Sequence, residues 1–241
     1  GSAGPDINSK KYTSAWDFYY KNQDKENFVY AVDEHYYVKP EWLCENVHFY
    51  DKYPRNIKIF AGEYAAHHSN GMNSPQYNDW DAALSEAAFL TGIERNADIV
   101  VLASYAPLLA RIGYAQWSPD MIWFDGESLY GTPSYYVQKM YSTLMGSNLL
   151  KVINDKEEIP FTVSYDKDEK IIYVKLVNTL NHPVKSQIES EFEIDKNGKV
   201  YLIEGLGKEV NSIKNPLNIS CQFINNLHYK LSIFYHKCIL P

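Results

Sequence analysis

Three short apolar runs, separated by helical stretches, constrain the fold of the first part of the chain more than any other feature. The runs cover residues 28–37, 57–65 and 97–107, and each has the length of a strand. Residues 79–96, between the second and third runs, place apolar side chains at helical spacing. Buried strands that alternate with helices form a parallel sheet covered by helices, so the pattern predicts an α/β fold.

Residue types suggest where the helices begin and end. Asn78 or Asp79 is a suitable N-cap for the longest one. We expect that helix to turn Glu86 and Arg95 toward water. Gly146 is expected to end the last helix. The predicted helices cover residues 14–22, 40–53, 79–96 and 132–146.

The sequence pattern changes near residue 150. From Lys151 onward, short apolar runs are separated by turn residues, and Asn197-Gly198 between two such runs predicts a tight hairpin turn. We therefore expect an antiparallel β-sandwich domain over residues 151–241, after an α/β domain over residues 1–150. The predicted strands cover residues 171–178, 185–194, 199–205, 217–223 and 229–240.

Composition and charge argue against several classes of protein. The net charge of −7, without a cluster of lysine and arginine, disfavours nucleic-acid binding. No apolar run reaches the roughly 18 residues of a membrane span. The three cysteines are odd in number and far apart, so we expect neither a disulfide framework nor a zinc site, and no metal or cofactor. The 15% aromatic content suits sugar binding and core packing alike.

The first residues leave the cellular compartment open. The chain starts at Gly1 without methionine, so Gly1-Ser2 is either an expression remnant or part of a longer native sequence. No signal peptide is visible. A periplasmic or extracellular location is slightly favoured over a cytoplasmic one.

Polar side chains follow the predicted strands where functional groups of a parallel β/α sheet collect. The strand ends carry Asp33, Glu34, His35, Tyr36, Tyr37, Glu63, Tyr64, Ser104 and Tyr105. A carboxylate among tyrosines and a histidine suits retaining glycoside hydrolysis, in which it attacks the anomeric carbon and a second carboxyl about 5 Å away protonates the leaving oxygen. The alternatives for Glu63 are an acid at a helix N-terminus or an ion-pair partner.

Four motifs occur in an order and at a spacing that a known family shares. They are AVDEHYY (31–37), FAGEYAA (60–66), AALSEAAFLTGIERNADIVVLASYAPLL (82–109) and QWSPDMIWFDGESLYGTPSYYVQKMY (116–141). Together they resemble the C-terminal half of α-L-arabinofuranosidases of glycoside hydrolase family 51. The resemblance implies about strands six to eight of a (β/α)8 TIM barrel followed by a β-sandwich, and release of terminal arabinofuranosyl groups with retention.

The resemblance also implies roles for four residues. Glu63 matches the nucleophile, and His35 would support it by hydrogen bonding, with a purely structural histidine as the alternative. Tyr37 would contact the sugar or hold the Glu63 carboxylate. Trp117 lies where the family's last barrel loop lines the sugar subsite, with a buried core tryptophan as the alternative.

Four further acidic residues receive no direct chemical role. Asp33 and Glu34 are expected to support the site from behind or to cap a helix. Glu86 and Glu94 are expected on the outer face of a helix or in ion pairs.

The sequence departs from the family in one respect. The family's acid/base glutamate follows an asparagine at the end of the fourth barrel strand, and this sequence contains no such Asn-Glu pair. We therefore expect a C-terminal fragment that carries the nucleophile without the proton donor, acting on arabinose-containing oligo- or polysaccharides. Its open sheet edges predict a need for the missing N-terminal half of the barrel or for self-association. The alternative is a non-catalytic carbohydrate-binding or assembly domain.

Overall fold

The computed structural model describes residues 7, 9–26, 28–68, 78–153, 159–190, 197–228 and 238–240. Gly1 and Ser2 lie outside these residues, as do residues 191–194 and 229–237 of two predicted strands. Within the described residues, no helix is both long and apolar enough to cross a bilayer.

The first part of the chain forms the predicted parallel sheet. Its strands are β1 (Ala31–Val38), β2 (Lys58–Ala66) and β3 (Val100–Tyr105), hydrogen-bonded in the order β1-β2-β3. Both pairings are parallel. The strands begin up to three residues later than the apolar runs suggested, and their existence and order confirm the α/β prediction for this part.

Four helices accompany the sheet. They are α1 (Lys10–Asn22), α2 (Pro40–Glu45), α3 (Trp80–Arg95) and α4 (Pro133–Thr143). Asp79 caps α3, as predicted, by accepting a hydrogen bond from the backbone N–H of Ala82 at 2.9 Å.

Two predicted helix ends are wrong, and tertiary contacts explain both. Helix α2 stops at Glu45 instead of continuing to residue 53, because the turns that follow bring the hydroxyls of Tyr50 and Tyr53 to Glu34 on β1. Helix α4 ends at Thr143, before Gly146. A Cβ on Gly146 would meet the Tyr165 backbone at 2.2 Å, so this glycine permits a close approach of two chain segments.

Helix α3 is buried on nearly all sides, which the sequence pattern did not indicate. It contacts β2 and β3 of the parallel sheet, α2 and α4 beside it, and strands of the C-terminal sheet described next. Glu86 is consequently 1% exposed, and its predicted orientation toward water is wrong. Glu94, predicted to face outward or form an ion pair, pairs with Lys175.

The C-terminal part forms a six-stranded sheet in which every pairing is antiparallel. The strands are β7 (Asn148–Leu149), β8 (Phe161–Asp166), β9 (Ile171–Val177), β10 (Asn197–Glu204), β11 (Gln222–His228) and β12 (Cys238–Leu240), in the order β11-β10-β12-β9-β8-β7. Between the two sheets in sequence lies a small sheet of β4 (Leu109–Arg111), β5 (Ile122–Phe124) and β6 (Leu129–Gly131). The molecule is thus α/β followed by a β-rich part.

Three details of the predicted β-rich part are wrong. Residues 185–190 form no strand, and neither do residues 217–221, since β11 begins at Gln222. Asn197 and Gly198 make no hairpin turn but begin β10, where they pair with His228 and Leu227. The second sheet of a sandwich stays a prediction, because the described residues form one large antiparallel sheet here.

The main hydrophobic core extends across the predicted domain boundary at residue 150. Val177, Ile203 and Ile219 of the C-terminal part belong to the same buried cluster as Trp80 and Phe89 of α3. Helix α3 therefore packs between the parallel sheet and the six-stranded sheet, and it holds in place the parallel sheet that carries the candidate site.

Candidate active site

An extra residue in β2 decides which side chains share a face of the parallel sheet. β1 and β2 pair residue for residue as far as Glu34 opposite Ala61, and the next pair is His35 opposite Glu63. Gly62 therefore has no counterpart in β1, as in a β-bulge.

This bulge moves Glu63 to the less buried face of the sheet. Side chains alternate between faces along a regular strand, so if Gly62 took a regular, paired position Glu63 would continue the buried row of Ile59 and Ala61. With the bulge, Tyr64 takes the next buried position, at 1% exposure. The less buried face of β1 carries Asp33, His35 and Tyr37. All three lie in the strand next to Glu63, as the sequence predicted.

The Glu63 carboxylate receives one hydroxyl and stays accessible. The hydroxyl of Tyr37 donates to Oε2 of Glu63 at 2.7 Å. Nδ1 of His35 lies 3.6 Å from the same oxygen, where a protonated imidazole forms an ion pair. The Glu63 side chain is 44% exposed, so a ligand can reach it. Since Glu63 lies within a strand, its alternative assignment to a helix N-terminus is wrong.

Asp33 and Gly62 hold His35 in place. Nε2 of His35 lies 3.1 Å from both carboxylate oxygens of Asp33. A Cβ on residue 62 would meet Oδ1 of Asp33 at 2.0 Å, so the carboxylate occupies the space that only a glycine leaves open. Asp33 thus supports the site through His35 and does not cap a helix.

Trp117 stands beside Tyr37 at the edge of the site. Its ring lies 5.6 Å from the Tyr37 ring in an edge-to-face arrangement, and its side chain is 41% exposed. The alternative of a buried core tryptophan is therefore wrong. On its other side, the ring of His67 lies parallel to the indole at 5.7 Å. His67 follows β2 directly and was not singled out from the sequence.

Asp120 is a second residue of this region that the sequence did not indicate. It lies three residues after Trp117, is 3% exposed, and has no hydrogen-bond partner for Oδ2 among the described residues. Burial raises the pKa of its carboxyl to about 6. The pKa of Tyr37 is raised by burial, by the hydrogen bond to Glu63 and by the charges of Glu63 and Asp120. The negative charge of Asp120 thus disfavours ionisation of the Tyr37 hydroxyl.

Glu34 occupies the opposite, fully buried face of β1 and is 0% exposed. Its two oxygens accept five hydrogen bonds. Oε1 accepts from the hydroxyls of Tyr12 at 2.5 Å and Tyr53 at 3.2 Å and from the indole N–H of Trp16 at 2.9 Å. Oε2 accepts from the hydroxyls of Tyr36 and Tyr50 at 2.9 Å each. Burial raises the pKa of Glu34, and the donors oppose that rise. Glu34 caps no helix; it fastens α1 and the segment after α2 to β1.

Glu86 of α3 is buried against the last residue of β2. Its Oε1 accepts a hydrogen bond from the backbone N–H of Ala66 at 2.9 Å, and its Oε2 is buried without a partner among the described residues. Burial raises the pKa of Glu86 to about 8. A carboxyl that is protonated at neutral pH therefore supports the strand that carries Glu63.

These groups provide one accessible carboxylate with a hydroxyl, an imidazole and an indole around it. Two other carboxylates are near: Asp33 is engaged by His35, and Asp120 is buried. In the described part of the chain, no group of three or more His, Cys, Asp or Glu residues has the arrangement of a metal site. The arrangement suits nucleophilic attack by Glu63 on a bound sugar.

Comparisons with known proteins point to one family. The family model described as "Alpha-L-arabinofuranosidase C-terminal domain" matches residues 62–232. The chain is 43% identical over 150 residues to an extracellular exo-α-L-arabinofuranosidase of Streptomyces chartreusis, which covers 62% of this chain and 16% of that protein. It is 43% identical over 119 residues to α-L-arabinofuranosidase 2 of Arabidopsis thaliana, covering 49% of this chain and 17% of the relative. The chain thus spans about a sixth of the length of these relatives.

Solved structures show the same fold. An arabinose-bound family 51 α-L-arabinofuranosidase, MgGH51, matches with a TM-score of 0.77 at 24% identity, over 94% of this chain and 38% of that one. The α-L-arabinofuranosidase of Thermotoga maritima, in an arabinose complex, matches with a TM-score of 0.70 at 16% identity, over 88% of this chain and 52% of that one.

Proposed function

The chain belongs to the α-L-arabinofuranosidase C-terminal domain family, as a C-terminal portion of a family 51 enzyme, and from this premise we propose that it supplies the nucleophile half of a retaining active site. Its substrates would be arabinose-containing oligo- or polysaccharides from which terminal arabinofuranosyl groups are released. The observation that carries the proposal is Glu63, an accessible carboxylate in the C-terminal half of β2 with the Tyr37 hydroxyl 2.7 Å away.

Each residue of the site has a part in this reaction. Glu63 attacks the anomeric carbon and forms the covalent glycosyl-enzyme intermediate. Tyr37 orients its carboxylate, and His35, fixed by Asp33, supports it from the side. Trp117 offers an exposed apolar ring face to the sugar. The fit of this set to one reaction supports the assignment.

The proton donor would come from outside this chain. No Asn-Glu pair occurs in the sequence, and the described parallel sheet has three strands where a TIM barrel has eight. We assign these to about strands six to eight of the barrel. The open edge at β3 exposes Val101 at 41% and Leu102 at 57%, an apolar surface that the N-terminal half of the barrel or a second copy of the chain would cover.

The substrate class fits a location outside the cytoplasm. The Streptomyces relative is named as an extracellular enzyme. Since polymeric arabinose-containing substrates do not enter cells intact, we propose a periplasmic or extracellular site of action.

The test compares the chain alone with a completed barrel. In the completed barrel, the part of the Streptomyces chartreusis relative that precedes the match is joined to this chain at the residue where the match begins. We expect no useful hydrolysis of aryl α-L-arabinofuranosides by the chain alone, because general acid catalysis contributes about 10²–10⁴-fold and half a pocket positions the sugar poorly. Light scattering should show the chain alone as a dimer or larger, and the completed barrel should hydrolyse the substrate.

Two outcomes would contradict the proposal. Ordinary glycosidase turnover by the chain alone would show that the proton donor is already present. A completed barrel that folds, as judged by circular dichroism, and binds arabinose without hydrolysing the substrate would favour a non-catalytic carbohydrate-binding domain.

A further inference from the structure

Trp117 lies in a segment without helix or strand, so its ring orientation depends on side-chain contacts. Residues 112–121 connect β4 to β5 and belong to neither element. The Trp117 side chain is 41% exposed, which leaves one part of the ring open. A tryptophan with so little backbone support keeps a single orientation only if its neighbours hold it.

His67 makes two contacts to this segment with one ring. The imidazole and the indole of Trp117 are nearly parallel, at an interplanar angle of 10°, with centroids 5.7 Å apart. Nε2 of His67 lies 3.0 Å from the backbone carbonyl oxygen of Ser118. Because a carbonyl only accepts, Nε2 must carry the proton and donate. His67 therefore stacks on one residue and tethers the next.

His67 itself is fixed to the sheet that carries Glu63. Its backbone N–H donates to the carbonyl oxygen of Val38 at 2.6 Å, which continues the pairing of β2 with β1 beyond the strand end. Tyr37, the neighbour of Val38, donates to Glu63 and contacts the Trp117 ring edge. Contacts from β1 and β2, the strands that also position Glu63, therefore determine the orientation of the Trp117 ring.

We propose that His67 is a positioning residue of the candidate site, whose stacking on Trp117 and hydrogen bond to Ser118 set the plane of the indole that receives the sugar. The inference rests on the proposed function for the identity of the ligand. The part of it that concerns the protein alone, the fixing of Trp117 by His67, stands independently of catalysis.

Three substitutions separate the two contacts. His67→Phe keeps a stacking ring and loses the donor to Ser118. His67→Gln keeps a donor and loses the ring, and His67→Ala loses both. The matched control is His68→Gln, because His68 is the next residue and its Nε2 contacts Asp79 at 2.8 Å, away from Trp117.

The first measurement uses the 241-residue chain without substrate. In each background, the near-ultraviolet circular dichroism of Trp117 is obtained by subtracting the spectrum of the matching Trp117→Phe variant. We expect the Trp117 signal to be lost in His67→Ala, reduced in His67→Gln, largely kept in His67→Phe and unchanged in His68→Gln. If His67→Ala fails to fold, the Phe and Gln variants still decide. An unchanged Trp117 signal in a folded His67→Ala or His67→Gln variant would overturn the inference.

The second measurement uses the completed barrel with an aryl α-L-arabinofuranoside. His67→Ala should raise KM about tenfold with kcat within about twofold, because the loss concerns uniform binding of the sugar and not the chemical step. His67→Phe should restore most of the lost affinity. An active barrel whose KM is unaffected by His67→Ala would refute the role of His67 and leave the proposed function intact. An inactive but folded barrel would count against the proposed function, and the spectroscopic result would then decide the inference about His67.

Discussion

Two glutamates on neighbouring strands, Glu34 and Glu63, show how one sheet can use the same side chain in opposite ways. Glu34 is 0% exposed and accepts five hydrogen bonds, whereas Glu63 is 44% exposed and accepts one, from Tyr37. A carboxylate whose lone pairs are all engaged stabilises structure and is a poor nucleophile. A carboxylate oriented by a single donor keeps a free oxygen for attack.

The comparison teaches that donor count and access distinguish the two roles better than the residue type or its place in a strand. The two glutamates stand at nearly the same level of parallel strands, since Glu34 directly precedes His35, the residue paired with Glu63. The buried one faces the core and is surrounded by tyrosines; the accessible one faces the open side of the sheet. Substitutions at the two positions should therefore have opposite consequences.

The largest effect is expected at Glu63. In the completed barrel, Glu63→Gln should lower kcat by about 10⁴-fold or more, because an amide keeps the shape and loses the nucleophile. Azide or formate should restore turnover to Glu63→Ala by attacking the anomeric carbon directly, and the arabinofuranosyl adduct should have inverted anomeric configuration, which proton NMR of the product would detect. The urea midpoint should barely change. Retention of most activity in Glu63→Gln would remove the nucleophile from this position and end the comparison.

A smaller effect, on stability alone, is expected at Glu34. Glu34→Leu should lower the free energy of unfolding of the chain by about 3 to 5 kcal/mol, since five buried donors lose their acceptor at roughly 1 kcal/mol each. Urea denaturation followed by tyrosine and tryptophan fluorescence would measure it, with Glu63→Gln as the matched control on the neighbouring strand. Equal midpoints for the two variants would show that the tyrosine cluster does not anchor α1.

The smallest effect is expected at Glu86, which is as buried as Glu34 and whose Oε1 accepts a hydrogen bond from the backbone N–H of Ala66. Its pKa is raised to about 8 in the folded chain from an ordinary 4.5, so between these values the folded state binds more protons than the unfolded state. Stability should therefore fall as pH rises through this window, by at most about 1.4 kcal/mol per pH unit.

Glu86→Gln isolates that contribution. Urea denaturation at pH 6.5 and 7.5 should show a loss of stability in the parent that is about 1 kcal/mol larger than in Glu86→Gln, because Asp120, with a pKa of about 6, and Glu34 contribute equally to both proteins. A parent and variant with the same pH slope would mean that Glu86 ionises freely, and its contrast with Glu34 would then need a different explanation.

The sequence predicts correctly those helices and strands whose position depends on local residue patterns. The spacing of apolar residues located α3 and its cap at Asp79, and three apolar runs located the parallel strands. Features that depend on distant partners were missed. Helix α2 ends early because the turns after it place the hydroxyls of Tyr50 and Tyr53 against Glu34. Asn197 and Gly198 pair with β11, which lies more than twenty residues away in sequence.

The candidate site divides in the same way. The strand-end rule indicated His35, Tyr37 and Glu63, and the family resemblance added Trp117. His67 and Asp120 carry no signal of their own, because their importance comes from contacts to Trp117 and Tyr37 that only the folded chain creates. The inward orientation of Glu86 could not be read either, since the backbone N–H that it accepts belongs to Ala66 of β2, twenty residues away in sequence.

The unpaired glycine of β2 makes the site depend on a local backbone irregularity as well as on the identity of its residues. Gly62 shifts the alternation of the strand by one step, and everything after it changes sides. If the strand kept its length but lost this irregularity, Glu63 would turn into the core and Tyr64 would come out, although every catalytic side chain would still be encoded. Deletion of Gly62 would instead leave His35 opposite Glu63 in an unbroken ladder, so a substitution at Gly62 that makes the strand regular threatens the site more than the loss of the residue does.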